Sequence, residues 1–316
     1  MKNIIIEYST VKSIRGLSHI KKHFPNEDSV LLRHTGSHAI VAAVSDGHGS
    51  RKCFRAHTGS RFAVDVVRDI CEKVTNFGTL KDVRGFSETL PIKIVENWKA
   101  RVDNDLKSYP FSNAELQYDE CKKNPYLAYG CTLLGSYITS HYGIFFQIGD
   151  GDIFASATDG TTKRLVADDN RFIGEETTSL CLPDAENDFR ISVVDFSINN
   201  LDIIILATDG LSKSYAKDAD LFQWTTDIRS MIQEKGSEAI DENLSTWLEE
   251  VSNEGSADDI SMAVIALDKL RLDNVDEDEV TSEENDITTE KTDEEKSKIS
   301  YIIKIIRKFK KFLNNE

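Results

Sequence analysis

Four aspartates stand at the ends of short apolar, strand-like runs: Asp46 in VAAVSDGHGS, Asp150 in FFQIGDGD, Asp209 in IIILATDGLS and Asp258 in GSADDISMAV. A strand that ends in Asp-Gly projects a carboxylate at the rim of a sheet, and the glycine lets another group approach the backbone. One such end is a turn. Four of them imply carboxylates converging on one rim, and converging carboxylates need cations to hold them together. The chemistry is that of a site for a hard divalent ion such as Mg2+ or Mn2+, both of which favour oxygen ligands.

The segment SDGHGSRKCFRAHTGSRFAV is the richest. Asp46 could bridge two cations through its two oxygens, and the unshielded Gly47 carbonyl could serve as a further oxygen ligand. His48 follows at once, placed to donate a proton to a leaving oxygen. Arg51 and Lys52 are expected to open a helix and attract an anion to its N-terminus. The plainer reading of the same residues is a tight Asp-Gly turn with a solvated histidine and a helix start.

At this point the chain resembles the PP2C-type, metal-dependent Ser/Thr protein phosphatases, in a divergent bacterial-style branch. The resemblance runs from about Gly16 to Leu267 and its pieces arrive in the family's order. NEDS (Asn26–Ser29) is similar to the early acidic motif, SDGHGS (Ser45–Ser50) to the DGHG signature and YGCTLL (Tyr129–Leu134) to the G-x-T-L strand. IGDGD (Ile148–Asp152) is similar to the GDS turn, ATDGL (Ala207–Leu211) to the DG-hydrophobic motif and ADDIS (Ala257–Ser261) to the DN-I/M-T motif.

The resemblance implies roles residue by residue. Asp46 would bridge two metals, Gly47 would give its carbonyl to one, and Asp209 and Asp258 would bind the other. Glu27 and Asp28 would hold water at the metals through hydrogen bonds. Asp150 matches an acid linked to a weaker third metal site, and His48 matches the general acid. Two Mn2+ or Mg2+ ions are thus the implied cofactors, with the weaker site leaving a third open. Two such ions would lower the pKa of a shared water toward roughly 7 and offset charge on the phosphoryl oxygens. No phosphoenzyme is needed, so the cysteines need no catalytic role, and no C-x5-R arrangement occurs.

Three departures stand out. The family's phosphate-binding Arg, four residues before the Glu of the acidic motif, is replaced here by His23, preceded by Lys21 and Lys22. Arg binds phosphate with a planar fork that Lys and His lack; Lys22, His23 and Arg51 are the candidate replacements. Asp152 stands where the family often has Arg, an extra acid that either favours a third metal or lies in a solvated turn. Asp259 stands where the family often has Asn, so Asp258 and Asp259 compete as the ligand; register with the following Ile-Ser selects Asp258.

The elements that would position these residues are many bunched strands and paired long helices. Strand-like runs fall at Asn3–Glu7, Ala39–Ser45, Thr132–Ser140, Ile144–Ile148, Ile153–Ala157, Ile191–Phe196, Asp202–Ala207 and Ile260–Ala266. Helical stretches fall at Phe54–Val74, Ile92–Asp119, Leu221–Lys235 and Ser237–Ser252. This points to an α+β class with antiparallel sheets and helices outside. The resemblance sharpens it to an α-β-β-α sandwich of two antiparallel sheets flanked by helices. The segments Thr75–Leu90 and Lys122–Leu127 could shape substrate access.

The chain has 316 residues, 40% of them hydrophobic, and a net charge of -16, which is poorly suited to general nucleic-acid binding. Its five cysteines show no CxxC spacing, MKNIIIEYSTVK does not read as a signal peptide, and no apolar run reaches transmembrane length. A cytoplasmic protein with reduced thiols is the simplest expectation. Asp273 to Lys296 holds 12 acids and 2 bases, a net of -10, and Ser297 to Glu316 holds 6 bases and 1 acid, a net of +5, leaving -11 for Met1 to Leu272. The expected organisation is therefore a phosphatase domain over 1–270, an acidic disordered linker over 271–298 and a basic amphipathic helix over 299–316. That helix could dock on its own acidic domain or on a partner protein. Membrane binding is less favoured, since anionic lipid would repel the acidic tether.

The expected function is metal-dependent hydrolysis of phosphoserine or phosphothreonine in proteins. The partner is a phosphorylated protein, with a cognate Ser/Thr kinase and its targets as the natural source. The rival reading is a phosphoprotein-binding or regulatory module with little turnover; a third is a hydrolase of small phosphomonoesters.

Overall fold

The computed structural model describes residues 4–35, 39–74, 77–167, 169 and 177–269. The expected linker over 271–298 and basic helix over 299–316 lie outside them.

Among the described residues ten strands form two five-stranded sheets. One runs in the order β1 (Ile4–Ile14), β10 (Ile260–Lys269), β9 (Leu201–Ala207), β6 (Asp152–Ala157) and β7 (Thr162–Arg164). The other runs β2 (Ser29–Thr35), β3 (Ala39–Ser45), β4 (Leu133–Ile138), β5 (Tyr142–Ile148) and β8 (Arg190–Asp195). Every pairing is antiparallel.

The central strands are buried on both faces, which is why they read as continuous apolar runs rather than alternating ones. Along β3, Ile40, Ala42 and Val44 enter the core between the sheets, where Leu134, Phe145, Ile204, Leu206, Ala263 and Ile265 meet them. Val41 and Ala43 point the other way, into a second core with Leu90, Ile94 and Trp98. That outer layer is built by α2 (Ala56–Cys71) and α3 (Leu80–Ser108), locked together where the Trp98 indole N–H donates to the Gly59 carbonyl at 2.9 Å. On the opposite side α6 (Asp218–Lys235) and α7 (Glu238–Glu254) pack against β1, β6 and β9. The expected α+β sandwich is the observed one.

Some elements differ from expectation. The helix expected from Ile92 starts at Leu80, because Thr79 and Asp82 close a capping box, and it runs through the buried Pro91. It ends at Ser108 rather than Asp119, since Pro110 disfavours helix in the residue before it. Most of Thr75–Leu90 is therefore helix rather than an access loop; Thr75 and Asn76 lie outside the described residues. Two strands lacked a readable pattern: β2 is a half-exposed edge carrying Arg33 and His34, and β7 has three residues. The five cysteines are buried and unbridged, and burial raises the Cys53 and Cys71 thiols to about 12. No helix among the described residues is long and apolar enough to cross a membrane.

Candidate active site

Strand register alone brings the acidic motifs to one end of the sandwich. Ser29 at the start of β2 pairs with Ser45 at the end of β3, so Glu27–Asp28 and Asp46 leave the sheet together. Because β4 runs antiparallel to both β3 and β5, the end of β5, and Asp150 just beyond it, lies at the same edge. In the other sheet Ala207 pairs with both Asp152 and Met262, which places the end of β9, the start of β6 and the start of β10 side by side. Asp209 follows β9 as the first residue of the short helix α5 (Asp209–Ser212), and Asp258 and Asp259 precede β10.

The β3 end is pinned to β4, for Asp46 N–H donates to Thr132 Oγ1 at 3.1 Å and the Asp46 carbonyl accepts from Thr132 N–H at 2.8 Å. The turn before β10 is held by two close backbone approaches. A Cβ on Gly16 would lie 2.1 Å from the Asp258 carbonyl carbon, and one on Gly210 would lie 2.1 Å from the Asp259 oxygen. Glycine is required at both, and through them Asp258–Asp259 is clamped between the β1 exit and the β9 exit.

The carboxylates crowd one another. Burial, then Asp28, Asp209 and Asp258, push the Asp46 carboxyl well above its ordinary value. Burial and Asp259 do the same to Asp28. Asp150 is raised to about 6 by burial and Asp209, Glu27 to about 7 by burial and the nearby Asp259, and Asp258 is raised by burial and Asp209. Asp209 is a common neighbour, acting on both the Asp46 and the Asp150 carboxyl. Its Oδ2 also pairs with the Lys213 ammonium.

Two oxygens in this cluster, Glu27 Oε2 and Asp28 Oδ1, are buried without a hydrogen-bond partner. Orphaned buried carboxylate oxygens are costly unless something takes them up. Hard oxygen donors in this number fit Mn2+ or Mg2+. Among the described residues no group of three His, Cys, Asp or Glu side chains is arranged to hold a metal ion as it stands.

His48 sits on the same end, its N–H donating to the Gly130 carbonyl at 3.0 Å. Burial, partly opposed by Asp209, holds its imidazole down at about 4.

The chain belongs to the protein phosphatase 2C family. A sequence profile for Protein phosphatase 2C matches residues 15–249. The chain is accordingly a serine/threonine protein phosphatase of that family. Among solved structures, the Staphylococcus aureus serine/threonine phosphatase Stp1 is similar with TM-score 0.55 at 14% identity, over 83% of this chain and 95% of that one. The catalytic domain of serine threonine protein phosphatase PstP, in complex with two manganese ions, gives TM-score 0.51 at 15% identity, over 84% and 99%. A bacterial serine phosphatase gives 0.54 at 13% identity, over 83% and 97%. No curated protein sequence matches the chain.

The phosphate-binding candidates fare differently from the acids. Lys22 and His23 are exposed at the end of α1 (Leu17–Lys22), with His23 in the left-handed region at φ 58°. Arg51 is exposed in a turn and does not open a helix; α2 begins at Ala56. Among the described residues none of the three side chains makes a hydrogen bond or ion pair. Asp152 does not lie in a solvated turn: it is buried at the start of β6, where Arg164 Nε lies 2.6 Å from its Oδ1.

Sequence reasoning missed His19 and the work of Asp259. Asp259 is 3% exposed and accepts three N–H groups: Gly16 N–H on Oδ1 at 2.7 Å, and Glu27 N–H at 2.7 Å and His19 Nδ1 at 2.8 Å on Oδ2. A carboxylate is acceptor-only, so His19 must donate through Nδ1. Its Nε2 then faces Glu27 Oε2 at 3.9 Å. Asp259 is thus consumed as a hub, which leaves Asp258 as the acid free to face Asp209. The spacing Gly-Leu-Ser-His before the acidic motif was the available signal.

Proposed function

We propose that the chain hydrolyses phosphoserine and phosphothreonine in proteins with two divalent cations, Mn2+ or Mg2+, held by Asp46, the Gly47 carbonyl, Asp209 and Asp258. The observation that carries this reading is the convergence of buried carboxylates, two of their oxygens orphaned, at one end of the sandwich. When bound, the cations supply an acidified water and neutralise the phosphoryl oxygens. The PstP catalytic domain, of the same fold, is described with two manganese ions.

The chain's own residues divide the rest of the work. Asp46, Asp209 and Asp258 fix the positions of charge. Asp28, held by the Thr208 hydroxyl at 2.9 Å on Oδ2, keeps Oδ1 for water. Glu27, whose backbone is tied to Asp259, does the same with Oε2. His48 delivers a proton to the leaving serine or threonine oxygen. Its burial makes the neutral imidazole the resting form, and the anionic phosphate group beside it restores its proton affinity.

The rival, a phosphoprotein-binding module with little turnover, is favoured by one observation: position 23, where the family carries its phosphate-binding Arg, holds an exposed histidine whose side chain makes no hydrogen bond or ion pair among the described residues. Hydrolysis of a phosphothreonine peptide separates the two. Turnover that needs Mn2+, stops in EDTA and falls by orders of magnitude in Asp209→Asn is the expected result. A folded, Mn2+-binding protein without turnover would establish the rival.

The phosphatase domain is assigned to 1–270, with 271–298 as acidic tether and 299–316 as a basic helix docking on the domain or on a partner. A cytoplasmic setting with a cognate Ser/Thr kinase fits this assignment. Removal of 299–316 leaves peptide hydrolysis intact if the helix is only an address.

A further inference from the structure

Lys213 follows Asp209 by one helical turn, at the end of α5. Its ammonium pairs with Asp209 Oδ2, on the very carboxylate assigned above to a cation. Asp150, the residue matching the acid of a third metal site, lies within electrostatic reach of the same ammonium and of Asp209. The Lys213 side chain is 52% exposed, so it reaches into this corner from the solvent side rather than from the core.

The neighbouring acid that could have added charge for a further divalent ion is already engaged, since Asp152 turns to Arg164, which also holds Asp218 at 2.9 Å. The corner thus contains two adjoining carboxylates and one covalently tethered positive charge. The cation assigned to Asp46, Asp209 and Asp258 has three carboxylates to offset that ammonium, whereas a third ion would have only Asp150 and the Asp209 oxygen that the ammonium already holds, and like charges in a partly buried site repel strongly.

We propose that the Lys213 ammonium takes the place of a third divalent cation at the Asp150–Asp209 corner, so that this phosphatase holds two metals and not three. The inference rests on the two-metal reading above. It adds that one of the cations neutralising the carboxylate end is built into the chain. Its presence is then independent of free metal concentration, and turnover shows no second, weaker phase of Mn2+ dependence.

The test is Mn2+ stoichiometry on the full chain by equilibrium dialysis and by titration calorimetry, into the millimolar range. Wild type is expected to saturate at two equivalents, and Lys213→Asp to take up a third, weaker one. The third is lost again when Asp150→Asn is added. Lys213→Gln, which drops the charge and keeps the length, is the second variant should Lys213→Asp fail to fold, and it too gains a third ion. Three equivalents in wild type would overturn the proposal and leave the two-metal chemistry standing. So would a folded Gln or Asp variant that stays at two, or a third ion indifferent to Asp150. A wild-type chain that takes up no Mn2+ would sink the metal reading itself, and this proposal with it.

Discussion

Replacing Asp259 by Asn tests whether the metal-facing turn is held by a charge rather than by shape. The acid accepts one N–H on Oδ1, from Gly16, and two on Oδ2, from His19 and Glu27. Asn offers one acceptor oxygen. If it lies at the Oδ2 position, the new NH2 faces Gly16 N–H at what was a 2.7 Å contact; if it lies at the Oδ1 position, the NH2 faces Glu27 N–H. Either way one buried backbone N–H loses its partner and meets another donor. A hydrogen bond to a charged group contributes about 1.5–3 kcal/mol and an unsatisfied donor costs a comparable amount, so the loss is about 3 kcal/mol. For a domain of this size that is a fall of about 6–12 °C in Tm. Because Asp258 precedes Asp259 and Glu27 hangs from it, Mn2+ affinity should fall about 10-fold as well. Thermal unfolding in EDTA and calorimetric Mn2+ titration read the two effects separately. His19→Gln combined with Asp259→Asn should cost less than the sum of the single changes, since both act on one network. An Asp259→Asn protein with wild-type Tm would refute the hub.

His48→Ala should lower kcat on a phosphothreonine peptide by about 10²–10⁴-fold with KM little changed. On p-nitrophenyl phosphate, whose leaving group needs no proton, the loss should be much smaller; equal losses on both substrates would remove His48 as the acid. In EDTA, stability should rise as pH is lowered from 7 toward 5. Glu27, at about 7, and Asp150, at about 6, bind protons in the folded state that the unfolded chain releases, so their contribution is present at low pH and lost as pH rises through those values. His48, held at about 4, acts in the opposite sense, costing stability below its unfolded value near 6.5, but it is outnumbered. Saturating Mn2+ should flatten the slope, and Glu27→Gln should remove part of it; a Tm that climbs steadily from pH 5 to 7 in EDTA would contradict the crowding of carboxylates. Lys52→Gln, which removes a cation facing His48, should raise the pKa of the alkaline limb of turnover, where His48 loses the proton it donates, read from a kcat against pH profile.

What the sequence could show depended on whether a residue's partner lies next to it in the chain or across the fold. The strand ends carrying Asp46, Asp209 and Asp258 were legible because Asp-Gly after an apolar run is a local signature, and the antiparallel register then forces those ends together. Lys213 was half-legible: the spacing of four from Asp209 places an ammonium over a carboxylate on one helical turn, but nothing local says that Asp150 stands beside them. Asp259 was ambiguous for a deeper reason. Two adjacent acids precede β10, and which one is taken up inside the protein depends on donors 232 to 243 residues away, at Glu27, His19 and Gly16. Ala257 adds to this, adopting φ 59° just before the pair, a left-handed conformation that no alanine advertises. The backbone strain, the His19 contact and the Gly16 approach all serve one end: they fix which of two neighbouring carboxylates is spent inside the protein and which is left to carry the chemistry. The Asn that the family often has at position 259 cannot accept three N–H groups. The acid here and the histidine at position 19 are therefore one device, and neither is expected to survive replacement without the other.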